Sequence, residues 1–86
     1  MMTKLEEKLK ELGYKKREYS KVQYFKRING GIIHLDITDL KSTYVEPVYI
    51  IYSQQDIDNL QQAFNEMQKD LEELRKYEIN SKTSKN

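Results

Sequence analysis

The chain of 86 residues has no cysteine, no tryptophan, one proline, three glycines and one histidine. Without cysteine there are no disulfides, no thiolate nucleophile and no cysteine-ligated metal. A small domain without such staples fits a reducing cytoplasm better than secretion, so a cytoplasmic location is expected. The lack of tryptophan and a hydrophobic fraction of 37% limit the core to a modest one. One histidine leaves few groups for metal or acid–base chemistry. Long apolar runs are missing as well. The longest, Val48 to Tyr52, is far short of the ~20 residues needed to span a bilayer. The opening residues, Met1 to Glu7, offer no apolar stretch for a signal peptide. The expectation is a single non-membrane domain over residues 1–79.

Charge is plentiful and segregated. Residues 1–31 carry nine Lys/Arg against four Glu, and residues 32–79 carry four Lys/Arg against ten Asp/Glu. Such an asymmetry suits either attraction between the two halves of the fold or a basic surface for an acidic partner.

Secondary structure follows from periodicity and punctuation. Thr3-Lys4-Leu5-Glu6 is a capping-box pattern, Leu5, Leu9 and Leu12 share a helical face, and Gly13 stands where that helix would end. Val22, Tyr24 and Ile28 then alternate with Gln23, Phe25 and Arg27. Asn29-Gly30 predicts a type I′ hairpin turn. A two-residue loop there sets Val22 opposite Ile37 and Tyr24 opposite Leu35, so the apolar faces coincide; a three-residue loop would mix them, and a two- or four-residue loop is favoured. A third strand is predicted from Tyr44 to Tyr52, with Pro47 confining it to an edge or a bulge. Ser53 then caps a long helix reaching Tyr77, with Ile57, Leu60, Phe64, Met67, Leu71 and Leu74 at spacings of three and four. Residues 80–86 read as a disordered polar tail.

The predicted fold class is α+β, in the order α-β-β-β-α: a three-stranded antiparallel meander packed against the long C-terminal helix. Phe25, Ile32, Tyr49 and Ile51 cluster around His34 on the other sheet face, which the short helix or another chain should cover. The helix seam packs on the sheet from Ile57 to Met67. Because a helix of this length outreaches a typical strand, Leu71, Leu74 and Tyr77 are expected to overhang as an exposed apolar end. The same 3.5-residue repeat leaves a homodimer open.

Chemistry-bearing motifs are sparse. His34 and Asp36 share a strand face without a third partner, and Gly30-Gly31 lacks the lysine and helix start of a phosphate loop. No catalytic residue, metal site or cofactor is expected. Seven tyrosines are the compositional oddity, and tyrosine is enriched at protein interfaces. These features favour a protein-binding surface at Tyr44, Tyr49, Ile51, Leu74 and Tyr77. The alternative is a nucleic-acid surface on Lys15, Lys16, Arg17, Lys21, Lys26 and Arg27, interleaved with aromatics.

Leu9-Lys10-Glu11-Leu12-Gly13-Tyr14, the Asn29-Gly30-Gly31 turn and the closing Leu71-Glu72-Glu73-Leu74 helix give the chain a general likeness. It resembles small uncharacterised accessory proteins of phages and prophages in low-G+C Gram-positive bacteria. The resemblance implies a non-enzymatic module that acts stoichiometrically, as an accessory or inhibitor, on a larger host or phage protein.

Overall fold

The computed structural model describes residues 3–47 and 53–84. The elements are α1 (Lys4–Glu11), β1 (Lys15–Lys16), β2 (Gln23–Ile28), β3 (Gly31–Asp36), a 3₁₀ turn (Leu40–Ser42), β4 (Tyr44–Pro47) and α2 (Gln54–Ser84). The protein is therefore α+β, an antiparallel sheet in the order β1-β2-β3-β4 packed against a long C-terminal helix.

Capping chemistry fixes the ends of α1. Thr3 and Glu6 exchange the two bonds of a capping box, Glu6 N–H to Thr3 Oγ1 at 3.1 Å and Thr3 N–H to Glu6 Oε1 at 3.0 Å. At the other end Gly13 takes φ +98, and the N–H groups of Gly13 and Tyr14 donate to the carbonyls of Lys10 and Leu9. That is a Schellman motif, which satisfies carbonyls the helix would otherwise leave open. It also turns the chain back along β2, where Lys15 pairs with Phe25 and Lys16 with Tyr24. A fourth strand thus joins the three expected, one too short and too polar to show an alternating pattern.

The β2–β3 register sets Tyr24 opposite Leu35 across a two-residue loop, the shorter of the two that apolar parity allows. The turn itself differs from expectation. Only Gly30 has positive φ (+90) and Asn29 does not, so the turn is not type I′. A negative followed by a positive φ is the pattern of a type II turn. Packing explains the stringency at this corner. A Cβ on Gly30 would lie 2.5 Å from the Asn59 carbonyl oxygen, and one on Gly31 would lie 2.7 Å from Val45 Cγ1. Helix α2 therefore rests directly on the hairpin turn.

This close approach rotates α2. Fully buried Ala63 faces the turn, while Ile57 and Phe64 stay 48% and 39% exposed. Of the expected first-half seam, Leu60 and Met67 pack against the core while Ile57 and Phe64 turn outward, because only a small side chain fits against the turn. The second half reverses expectation too. Leu71 is buried and Leu74 is 0% exposed, so they are not an overhanging apolar end. Helix α1 packs against α2 on the same side of the sheet, and Leu9 and Leu74 join Tyr24 and Leu35 in one core. Burying each such leucine contributes about 1.5–3 kcal/mol. Since α1 lies with α2, it does not cover the opposite sheet face.

Ser53 caps α2 through its Oγ, which accepts from Asp56 N–H at 3.2 Å. The helix runs past Tyr77 to Ser84, so most of the expected polar tail is helical. No glycine or proline interrupts residues 54–84 to end the ladder. Strand β4 begins at Tyr44 as expected and is an edge strand, with Pro47 opposite Gly31. The rest of that expected strand, Val48 to Tyr52, lies outside the described residues.

Candidate interaction surface

Strand alternation divides the sheet residues between two faces. Tyr24, Lys26, Ile33, Leu35 and Val45 point toward the helices and are buried. Phe25, Arg27, Ile32, His34, Asp36, Tyr44 and Glu46 occupy the other face. No described helix packs on that second face.

The open face is ordered by its own contacts. Phe25, His34 and Tyr44 lie in one row across β2, β3 and β4. The Arg17 guanidinium stacks over the Phe25 ring at 4.3 Å, and its Nη2 lies 2.8 Å from His34 Nδ1. A guanidinium only donates, so Nδ1 accepts and the His34 hydrogen resides on Nε2. That nitrogen donates to Glu46 Oε1 at 2.8 Å. With both ring nitrogens engaged, His34 forms a fixed platform. Tyr44 stacks on it, with centroids 4.7 Å apart and planes 18° from parallel. Yet Tyr44 remains 56% exposed, and nearby Tyr19 is 77% exposed. A shallow cleft of about 250 Å³ opens between them, floored by Gln23, His34 and Asp36.

Asp36 does not orient His34. Its Oδ1 accepts from the Thr38 backbone N–H at 2.8 Å and from the Thr38 hydroxyl at 2.5 Å. These bonds hold its carboxyl below the usual carboxylate range. Among the described residues, no three His, Asp or Glu side chains gather as metal ligands.

A second polar cluster lies inside the protein. Lys26 Nζ donates to Asp70 Oδ2 at 2.5 Å and to the Leu12 carbonyl at 3.0 Å, and pairs with Glu66 at 2.8 Å. The Tyr14 hydroxyl donates to the same Asp70 oxygen at 2.8 Å. Burial raises the Tyr14 phenol well above its ordinary range, and the Asp70 charge raises it further. This network joins the end of α1, β2 and α2, with every described buried side-chain polar atom satisfied.

The expected site residues therefore divide. Tyr44 lies on the open face; Tyr77 is half-buried, and Leu74 is core and unavailable to a partner. Tyr49 and Ile51 lie outside the described residues. Of the basic set, Lys15, Lys16, Lys21 and Arg27 are exposed, and Arg17 is engaged with Phe25 and His34. Lys26 leaves that set altogether, because strand parity places it on the core face against two carboxylates. Sequence reasoning missed Arg17 and His34 as supports of Tyr44. The His34–Tyr44 pairing depends on the β3–β4 register, which the Leu40–Ser42 turn sets and strand alternation alone does not give. Comparisons with family models, with curated proteins and with solved structures found no match for this chain.

Proposed function

We propose that the protein is a non-enzymatic interaction module that binds a larger host or phage protein through its open sheet face. One observation carries this reading: Tyr44 is more than half exposed yet stacked on a histidine hydrogen-bonded at both nitrogens. An aromatic held rigid before binding loses little entropy on contact, which is the property of interface anchors. Tyr19, across the cleft, supplies a second large amphipathic side chain. The phage-accessory likeness and the cytoplasmic setting belong to the same proposal, with a stoichiometric inhibitor as its form.

Nucleic-acid binding is the weaker reading. Asp36 and Glu46 sit on the same face as Phe25 and would repel a phosphate backbone. Buried Lys26 cannot contribute a phosphate contact.

Photo-crosslinking tests the proposal. A benzophenone side chain at position 44 should yield a discrete protein adduct in lysate of a low-G+C Gram-positive host. The same group at Lys69, exposed on α2, should not. Equal adducts from both positions, or an adduct to nucleic acid, would contradict it.

A further inference from the structure

Strand β1 is the other edge of the sheet, and its polar backbone is half used. Arg17 N–H donates to the Gln23 carbonyl at 2.8 Å, and the ladder continues with Lys16 opposite Tyr24 and Lys15 opposite Phe25. Bonded and non-bonded pairs alternate in an antiparallel ladder. Arg17·Gln23 and Lys15·Phe25 are thus the bonded pairs, and the N–H and C=O of Lys16 point away from β2. A shallow cleft lies on each side of this edge. One, toward the helices, is bounded by Glu6, Lys10, Tyr14 and Lys16; the other, on the open face, by Arg17, Glu18, Tyr19 and Phe25, and the two lysines of β1 line both, so basic groups outnumber carboxylates in each.

We infer that the β1 edge receives an extended acidic segment of the protein partner, which adds to the sheet as a fifth strand and places successive side chains in the two clefts. This rests on the interaction reading above and names the partner's chemistry. Backbone groups of Lys16 supply the pairing, as in other edge-strand recognition. Lys15 and Lys16 alternate, so each face of the edge carries one exposed ammonium. Among the described residues neither forms an ion pair within the chain. Two adjacent carboxylates on an added strand would meet one lysine each. A second copy of this chain fits poorly, since its edge would bring lysines against lysines. A nucleic acid fits poorly too. Tyr14 and Tyr24, beneath the helix-side cleft, are buried and offer no stacking face, and a sugar-phosphate chain lacks the amides that Lys16 would pair.

The probe is a blocked heptapeptide with two central glutamates flanked by threonine and valine, titrated at millimolar concentration into the full chain. Amide spectra should shift at Lys15–Arg17, and the Lys16 N–H should gain protection from hydrogen exchange. Methylating the peptide's backbone nitrogens at alternate positions should weaken binding about tenfold or more, through loss of the ladder bonds. Lys16→Glu should weaken it comparably while leaving the spectrum otherwise folded. Undiminished binding of the methylated peptide would overturn strand addition, as would no binding at all, or preference for single-stranded oligonucleotide. Shifts confined to Tyr19 and Tyr44 would overturn it as well, while leaving the interaction reading standing; failure of the position-44 crosslink would instead strike that reading.

Discussion

Lys26 on β2 and Asp70 on α2, 44 residues apart, meet at 2.5 Å with side chains only 9% and 5% exposed. Their pairing fixes where the long helix crosses the sheet. A buried ion pair gains little over well-packed apolar groups, but removing one partner strands the other. Lys26→Met is therefore expected to lower the unfolding free energy by about 3–5 kcal/mol in urea denaturation. Combining it with Asp70→Leu and Tyr14→Phe should recover most of that loss. Strictly additive losses would contradict the account.

Tyr14 gives this network a pH signature. Its phenol ionises near pH 10 in the unfolded chain but higher in the folded one, so the folded state holds the proton longer. Stability should thus be intact below about pH 10 and fall as pH rises beyond it. Tyr14→Phe should flatten that alkaline decline, at a loss of about 1.5–3 kcal/mol at neutral pH from the bond to charged Asp70. Thermal unfolding followed between about pH 9 and 11, roughly one unit either side of ordinary phenol ionisation, provides the comparison.

The hairpin corner should be intolerant of a single methyl group. Gly30→Ala combines a positive φ with a Cβ 2.5 Å from the Asn59 carbonyl oxygen. A loss of at least about 2 kcal/mol is expected from left-handed strain and overpacking together. Asn29→Ala, with ordinary φ and an exposed side chain, should be nearly neutral in the same denaturation assay.

Arg17 is expected to stiffen Tyr44 without touching it. Arg17→Lys keeps the charge but loses the planar stack on Phe25 and the fixed donor to His34. Ring-carbon relaxation should show Tyr44 more mobile in the variant, while stability changes by only about 0.5–1 kcal/mol. Unchanged Tyr44 mobility would remove the platform argument.

How far the residues reveal the fold depends on the range of the signal. The Thr3 capping box, the Ser53 N-cap, the Gly13 stop, the Tyr24–Leu35 register and the edge position of Pro47 were legible, because each is written in neighbouring residues or in strict alternation. Strand β1 was not, since two lysines carry no periodicity and pair only because Gly13 redirects the chain. The helix seam misled for a different reason. Spacing identifies an apolar stripe but not which edge meets the sheet, and the turn glycines decide that by admitting Ala63 rather than Phe64. Lys26 shows the same limit from the polar side. Its parity already placed it with Tyr24 and Ile28, but its carboxylate partners lie 40 and 44 residues away on α2. At the candidate surface Tyr44 was legible by residue type, whereas its support by His34, Glu46 and Arg17 needed the assembled sheet.

The central claim is that Tyr19 and Tyr44 on the open sheet face anchor a protein partner. The most direct measurement is calorimetric affinity of the partner captured at position 44 for the unaltered chain and for Tyr19→Ala and Tyr44→Ala. Each substitution should weaken binding by about 2 kcal/mol or more, while the amide spectrum shows the fold intact. Undiminished affinity in both folded variants would contradict the claim.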